Sequence, residues 1–241
     1  MSRGNTLLVP GLGISYAKKI KNLFGNSIIG YWVGDEPNGA VAIDESGLGF
    51  NGAYTGVTLG QPGIGDGLTC PFYDGANDFM QPPAGFRTAF NGQLFSILWW
   101  ANITSSVWAD GTNDRFFYFS VNGSNLIAGR KSSIAGNITI DYIAGGTTKG
   151  IAFATGSPTI FFHGAVTVSL VDDALIAYYR GLQVGTTQTG LGTFAGTITA
   201  ALTTIGADNA TPINPFNGNE THFIVLNRAA TPAEVAAAAV I

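Results

Sequence analysis

Pairs of Asn or Asp followed by Gly recur along the chain and constrain its fold more than any other feature. Asn and Asp tolerate a positive φ and Gly adopts it freely, so such pairs favour tight turns between antiparallel strands. The chain is therefore expected to consist of many short strands joined by turns. The eight pairs begin at Asn38, Asn51, Asp66, Asp74, Asn91, Asp110, Asn122 and Asn217.

The segments between these turns are rich in β-branched and aromatic residues. Short strands with a turn signal about every 8–12 residues, and few helices between them, indicate an antiparallel β-sandwich. Phe116, Phe117, Tyr118 and Phe119 are consecutive, so both faces of that strand carry aromatic rings and both are expected to be covered. Strands are predicted over residues 28–33, 94–103, 115–121, 137–143, 159–170, 174–184 and 221–226.

A short amphipathic helix is predicted over residues 14–24, because apolar residues fall at helical spacing on one side and three lysines occupy the other. Four basic and no acidic residues lie in the first 34 positions, whereas seven basic and fifteen acidic residues follow. The helix either docks on its own domain or forms an arm, residues 1–27, that attaches the domain to a larger assembly. The residues assigned to such an arm are Lys18, Lys19, Lys21, Ile20 and Phe24.

A second short helix is predicted at the end of the chain. Thr231 is a suitable N-cap, Pro232 suits the first helical position, and Glu234 stands three residues after the cap. Such a pattern is typical of a capping box. Residues 28–241 show no linker-like change of composition and are expected to form one domain.

Composition excludes several classes of function. Only 11% of the residues are charged and the net charge is −4, so no basic field is available to hold a nucleic acid. No run of about 18 uncharged apolar residues predicts a membrane span, and the first residues lack the continuous apolar segment of a signal peptide. Cys70 is the only cysteine and forms no internal disulfide, which fits assembly in a reducing compartment.

The residue types needed for catalysis do not occur in catalytic patterns, and no enzyme is expected. His163 and His222 lack the spacing of a zinc site, and Cys70 has no histidine near it in sequence. Glycoside hydrolysis needs two carboxyl groups across one sugar bond. The glutamates fall in no alternating acidic strand pattern; they are Glu36, Glu45, Glu220 and Glu234.

Several motifs occur in the order in which they are found in laminin G-like, concanavalin A-like jelly-roll domains. They include a tryptophan strand with an acidic turn, an Asp-x-Ser-Gly loop and an Asn-Gly-x-Tyr segment. The resemblance covers residues 28–241. It implies an all-β fold, an antiparallel jelly-roll β-sandwich of the concanavalin A-like lectin and glucanase type, with a short N-terminal helical arm and a short C-terminal helix. The matching segments are residues 29–39, 44–47, 51–54, 72–79, 95–100, 178–181 and 216–234.

This resemblance implies a single structural calcium ion. Asp44 matches the first acidic ligand of the family, and oxygens around Asn51 could complete a weak site. The second acidic pair of the family is replaced here by Thr221 and His222. Ca²⁺ takes six to eight oxygen ligands, several of them charged, so the site is expected to be weakened. In the alternative interpretation, Asp44 only stabilises its own turn. Apart from this calcium ion, no cofactor is expected.

A helix joined directly to the tryptophan strand also resembles laminin G-like proteins encoded by tailed bacteriophages. This resemblance implies a non-enzymatic virion surface protein, a head decoration or a tail-associated protein, assembled in the host cytoplasm. Its partners would be other virion proteins, reached through the arm. A low share of charged residues favours oligomers, because monomers rarely leave large apolar patches in water.

The alternative function is a carbohydrate-binding, lectin-like adhesin that recognises host-surface glycans. Sugars stack on exposed aromatic rings, and Trp108 stands close to the Asp110-Gly111 turn. Trp108 and Asp110 are therefore the candidate glycan or partner contacts. In the competing interpretation, Trp108 is a residue at the edge of the sandwich or in a subunit contact.

Overall fold

The computed structural model describes residues 15–241. Within them the helices are short, and none is long and apolar enough to cross a bilayer. Two single 3₁₀ turns occupy Gly25–Ser27 and Ala200–Leu202. The α-helices are α1 (Tyr16–Phe24), α2 (Ala84–Ala89), α3 (Ser105–Trp108) and α4 (Pro232–Ala238).

Strands dominate the described chain. They are β1 (Ile28–Trp32), β2 (Val41–Ala42), β3 (Gly52–Thr55), β4 (Thr58–Pro62), β5 (Thr69–Asp74), β6 (Phe79–Gln81), β7 (Leu94–Asn102), β8 (Asp114–Asn122), β9 (Asn125–Lys131), β10 (Asn137–Ala144), β11 (Thr147–Ala154), β12 (Phe162–Ser169), β13 (Ala174–Tyr179), β14 (Leu182–Gln188), β15 (Thr203–Ile205) and β16 (Asn217–Leu226).

These strands form two antiparallel eight-stranded sheets. The first sheet has the order β14-β13-β12-β7-β16-β5-β4, and β1 also pairs with β16. The second has the order β11-β10-β9-β8-β15-β6-β3-β2. One edge of β16 pairs with β5 and β1. On its other edge, the register of β16 against β7 shifts between Thr221 and Ile224, where His222 has a φ of 48°. The predicted antiparallel sandwich is confirmed.

Each predicted strand is present, but the turn pattern missed several others. The run predicted over residues 174–184 is a hairpin, because Arg180 and Gly181 adopt positive φ and reverse the chain between β13 and β14. The predicted run 159–170 begins only at Phe162. Eight strands were not predicted: β2, β3, β4, β5, β6, β9, β11 and β15. Shortness accounts for β2, β3, β6 and β15, which have two to four residues, but not for β9 and β11, which have seven and eight.

A large aromatic core fills the space between the sheets and is called the inter-sheet core here. Both faces of the aromatic strand β8 were expected to be covered, and Tyr118 departs from that prediction because it is partly exposed. A bulge between Arg115 and Phe117 brings Phe116 into the core beside Phe117. Tyr118 is left as the aromatic residue of that run on the outer face. Rings that pack in this core are Trp99, Phe116, Phe117, Phe119, Tyr142 and Phe223.

A second apolar cluster, the helix-side core, covers the outer face of the first sheet. Helix α1 begins after Ser15, whose hydroxyl accepts a hydrogen bond from Lys18 N; Ile14, where the prediction placed the start, lies outside the described residues. The buried face of α1 packs with α4 on this sheet. Members of the cluster include Tyr16, Ile20, Phe24, Tyr31, Trp100, Ile224 and Val235.

The C-terminal helix forms as predicted. The Thr231 hydroxyl accepts a hydrogen bond from Glu234 N, and the Glu234 carboxylate accepts one from Thr231 N at 2.8 Å. Arg228 forms two hydrogen bonds to the same carboxylate, and they contribute most to lowering the pKa of Glu234 to about 2. Near its other end α4 contacts α1, where the Tyr16 hydroxyl donates to Ala238 O at 2.6 Å.

Candidate functional site

Trp108, the expected site of sugar stacking, is buried. Only 1% of its surface is exposed, and its indole Nε1 donates to Pro158 O at 2.8 Å. Thr104 caps the short helix α3, which turns the indole toward Phe162, with ring centroids 6.1 Å apart. The prediction that Trp108 contacts a glycan is therefore wrong, because its ring faces have no room for a ligand.

Asp110 lies beside Trp108, but its carboxylate already has partners. It accepts hydrogen bonds from Lys131 Nζ and from the backbone and hydroxyl of Thr112, both at 2.8 Å. One third of the side chain is exposed. Asp110 is thus the exposed partner of the fully buried Lys131, and its carboxylate is already engaged by Lys131 and Thr112.

The proposed calcium ligands do not fit a cation. Both carboxylate oxygens of Asp44 accept hydrogen bonds from Tyr31 N, Ser46 N, Ser46 Oγ and Phe50 N, at 2.6–3.0 Å. Asn51 Oδ1 accepts the N–H of Asp44 at 2.9 Å. In the described chain no three His, Cys, Asp or Glu side chains cluster around a metal position. The geometry matches the alternative, in which Asp44 stabilises its own turn.

The two residues that replace the acidic pair of the family form hydrogen bonds inside the protein. Thr221 Oγ1 donates to Val33 O at 2.6 Å. The His222 ring lies between Tyr31 Oη, 2.7 Å from Nδ1, and Asp66 Oδ2, 3.0 Å from Nε2. Sequence reasoning missed this cluster because Asp66 lies 156 residues from His222 along the chain.

The residues assigned to an assembly arm divide into two groups. Ile20 and Phe24 are buried in the helix-side core and are not available to another protein. Lys19 Nζ donates to Val240 O at 2.6 Å, and Lys21 Nζ pairs with Glu45 at 2.5 Å. Lys18 is exposed. These contacts match the docking-helix alternative, and a role of this segment in assembly stays a prediction.

The remaining aromatic side chains indicate where a sugar could bind. All four Trp and eight Tyr residues lie in the described part of the chain, and ten of the twelve are buried. Tyr118 and Tyr179 are partly exposed. Tyr179 packs its ring against Phe153 and Phe162 at the edge of the inter-sheet core. Tyr118 is the one of the two that lies on the outer face of a sheet.

Charged side chains from three neighbouring elements surround Tyr118. Arg115 and Arg130 stand opposite each other on β8 and β9, while Tyr118 and Asp141 flank Ala128 from either side. The Arg115 guanidinium lies 5.6 Å from the Tyr118 ring centroid. The Tyr118 surface is defined here as Tyr118, Arg115, Arg130, Asp141 and Asp208.

The charges of the Tyr118 surface balance. Arg130 Nη1 donates to Asp141, Arg115 Nε donates to Asp208, and Arg115 Nη1 lies 3.6 Å from Asp141. Side-chain exposure ranges from 12% at Arg115 to 25% at Arg130 and Asp141. The network holds planar donors and acceptors in fixed positions beside an aromatic ring, an arrangement able to bind a ligand rich in hydroxyl groups.

Sequence analysis did not find this surface, because its residues come from positions far apart in the chain. A signal was present in the alternation of β10, where Asn137, Thr139 and Asp141 occupy the partly exposed positions between buried apolar residues. The aromatic run concealed the exposure of Tyr118. Since aromatic residues occupy both faces of that strand, its solvent-exposed face cannot be identified from the sequence unless the position of the bulge is known.

Two titratable side chains are buried away from any surface. Glu220 is 2% exposed and lines a cavity of about 10 Å³, together with Tyr73 and Phe223. Neither of its carboxyl oxygens has a hydrogen-bond partner in residues 15–241, and burial raises its pKa well above the ordinary value. Burial also lowers the pKa of His163 to about 3, so the His163 ring is neutral near pH 7, and burial likewise favours the protonated form of Glu220.

The chain is similar in fold to solved botulinum neurotoxin domains. The binding domain of serotype D gives a TM-score of 0.68 at 14% identity, over 90% of this chain and 52% of that chain. The receptor-binding domain of the C/D mosaic serotype gives 0.68 at 13% identity, over 88% and 51%. A serotype D ligand-binding domain in complex with N-acetylneuraminic acid gives 0.65 at 14% identity, over 92% and 52%.

The chain spans about half the length of these solved domains, and at this identity the likeness shows the fold alone. No protein-family model matches the sequence, and no curated protein matches it. The three neighbours are binding domains of bacterial toxins, so the expected place on a phage virion gains no support from them. The virion role and the expected oligomer stay predictions.

Proposed function

We propose that the chain is a carbohydrate-binding, lectin-like module that recognises a glycan at the Tyr118 surface. The observation that carries the proposal is a partly exposed tyrosine ring that lies beside Arg115, which is part of an ordered network of arginine and aspartate side chains. An aromatic ring supplies apolar contact area, and planar charged groups supply directed hydrogen bonds.

Two further facts support this function over the virion role. Buried residues of α1 contact the domain itself, so the helix does not need a partner to cover its apolar face. A solved domain of similar fold is bound to N-acetylneuraminic acid. That sugar is bound by the neighbour; the chemistry of the Tyr118 surface, with balanced charge, accepts neutral or acidic sugars.

The test is binding of the purified chain to an array of neutral and sialylated glycans, followed by calorimetric titration of the glycans that bind. Tyr118→Ala is expected to weaken binding at least about tenfold, equivalent to about 1.4 kcal/mol. Asp141→Asn should weaken it as well, because the arginines lose the charge that orients them.

Tyr179→Ala is the matched control, because Tyr179 is also partly exposed and also has an arginine beside its ring, Arg180 at 5.3 Å. Its glycan binding should equal that of the wild type, with folding checked by circular dichroism. An array without any bound glycan would overturn the function. Glycan binding that survives Tyr118→Ala and Asp141→Asn would overturn the assigned surface.

A further inference from the structure

Lys131 is a lysine without any exposed side-chain surface. It ends β9, directly opposite Asp114 at the start of β8. Lysine is almost never fully buried unless it is paired. The surroundings of its amine therefore define a dry polar site at one end of the sandwich, away from the Tyr118 ring.

Two carboxyl groups face this amine from different sides. Lys131 Nζ donates to Asp110 Oδ1 and lies 3.2 Å from Asp114 Oδ2. Thr112 Oγ1 lies 2.8 Å from an oxygen of each carboxyl group and so bridges them. Asp114 Oδ2 has no hydrogen-bond partner in the described chain, although Asp114 is 3% exposed.

The two carboxyl groups differ in their affinity for a proton. Burial raises the pKa of Asp114 above its ordinary value and outweighs the opposing effects of Thr112 and Lys131. Partial burial also acts to raise the pKa of Asp110, but hydrogen bonds from Lys131 and Thr112 outweigh it and leave that pKa below the ordinary value. One amine thus lies beside two carboxyl groups, and the buried one, Asp114, holds a proton more tightly than Asp110 does.

We propose that Lys131 and Asp110 form an intramolecular amide cross-link between Lys131 Nζ and Asp110 Cγ, with Asp114 as the acid that transfers protons during the reaction. Lys131, Asp110 and Asp114 are held in contact, and the amine is shielded from water. The cross-link would tie the loop after α3 to the end of β9.

The reaction needs no other reagent. The ammonium first passes a proton to the hydrogen-bonded Asp110 carboxylate, which gives a neutral amine and a neutral acid. The amine nitrogen then adds to Asp110 Cγ. Asp114 protonates the departing hydroxyl, which leaves as water, and takes back the proton that the nitrogen loses. One N–C bond forms, one C–O bond breaks, and an ion pair becomes a neutral amide and water.

The environment favours this product. A buried ion pair bears a desolvation cost that its Coulomb attraction offsets only in part, and amide formation removes both charges. The water formed can leave on the side of Asp110, of which 33% is exposed. Lys21 and Glu45 provide a contrast, because their side chains are 43% and 41% exposed and, in the part of the chain that the structure describes, no buried carboxyl group pairs with Lys21 to transfer protons.

Intact mass under denaturing conditions tests the proposal directly. The wild-type chain is expected to weigh one water molecule less than its sequence. Trypsin should then yield a branched peptide in which residues 88–115 are joined to residues 131–149. Lys131→Arg keeps the charge but cannot form the amide, and Asp114→Asn removes the acid; both variants should have the full mass.

Asp110 is followed by Gly111, and such a pair can lose water alone by closing to a succinimide. Lys131→Arg separates the two reactions, because the succinimide would still form in that variant while the cross-link would not. Lys21→Arg is the control at the exposed pair and should keep the lower mass. A wild-type chain of full mass, or a lower mass that persists in Lys131→Arg, would overturn the proposal; neither result depends on the variants folding.

Discussion

The inter-sheet core and the helix-side core differ at two particular groups of buried polar side chains. Between the sheets, Glu220 stands among aromatic rings without a hydrogen-bond partner. Beneath α1, polar side chains bond to one another in series: Trp100 Nε1 donates to the Tyr16 hydroxyl at 2.8 Å, and His222 joins Tyr31 to Asp66. One core thus tolerates a buried carboxyl group without a partner, whereas in the other a series of linked side-chain hydrogen bonds lies beneath α1.

Removal of α1 should have the largest effect on this comparison. A chain that begins at Ser27 loses three buried side chains, Tyr16, Ile20 and Phe24, and uncovers the helix-side core. Truncating one large buried apolar residue costs about 2–5 kcal/mol, and whole domains are stable by about 5–15 kcal/mol. We expect the shortened chain to aggregate or to unfold at much lower urea concentration.

Ile20→Ala is the milder companion, with an expected loss of about 2–5 kcal/mol in urea unfolding. Lys18→Ala, at an exposed position of the same helix, is its control and should change stability little. A shortened chain with the stability of the full chain would show that α1 is an arm and not a part of the core.

The second prediction concerns the hydrogen bonds of the helix-side core. Tyr31→Phe removes the hydroxyl that lies 2.7 Å from His222 Nδ1 and leaves a buried ring nitrogen without a partner. Such a loss costs about 1–3 kcal/mol, so the midpoint of urea unfolding should fall. Tyr118→Phe is the control on the outer face of the other sheet. Equal stabilities of the two variants would mean that the network adds nothing to packing.

The third prediction sharpens the contrast at Glu220. Its pKa is raised in the folded protein, so its contribution to stability is complete below the unfolded value of about 4.5 and is lost as the pH rises through the folded value. Glu220→Gln cannot titrate and should be more stable than the wild type near pH 8, with the advantage vanishing near pH 4. The measurement is urea unfolding of both proteins across that range.

The difference in unfolding free energy between the wild type and Glu220→Gln reports the titration of Glu220, because the other titrating groups are common to both proteins. A difference that does not change with pH would contradict a buried, protonated carboxyl group. A wild type that gains stability relative to Glu220→Gln as the pH rises would mean that the carboxylate has a partner.

Local patterns were sufficient to predict much of the fold. The capping box of Thr231 and Glu234 is completed within one helical turn and was predicted correctly. The Asn-Gly and Asp-Gly pairs were correct only in part: Asn122-Gly123 joins β8 to β9, but Asn217-Gly218 lies within β16 and Gly52 begins β3. The β8 bulge was not predictable, because strand pairing and core packing decide it. Both faces of that strand were expected to be covered, but the bulge brings Phe116 and Phe117 together into the inter-sheet core and leaves Tyr118 partly exposed.

The candidate site was harder to predict for the same reason. Trp108 stands next to a turn, which favours exposure, yet α3 turns it inward toward a strand that lies about fifty residues later. Asp141, Arg130 and Arg115 meet only when three strands pair. Sequence motifs detect residues that act together when they are close along the chain, and this surface has no such motif.

The smallest effect is expected from calcium. The Asp44 turn supports the helix-side core, because Asp44 accepts the Tyr31 N–H and Glu45 pairs with Lys21 of α1. A bound ion would stabilise the folded state by RT ln(1 + [L]/Kd). Since the donors of the protein already occupy the oxygens of Asp44, added Ca²⁺ or a chelator should leave the melting temperature unchanged.

Asp44→Asn distinguishes a turn from a metal site. If Asp44 only stabilises its own turn, the Asp44→Asn variant should be less stable than the wild type by about 1–3 kcal/mol, because charge-assisted hydrogen bonds to backbone N–H groups become weaker. This loss should be equal with and without Ca²⁺. The measurement is the melting temperature of the wild type and of Asp44→Asn, in chelator and in millimolar Ca²⁺. A wild-type melting temperature that rises with Ca²⁺, and a variant that does not respond, would place an ion at Asp44 and make the helix-side core dependent on metal.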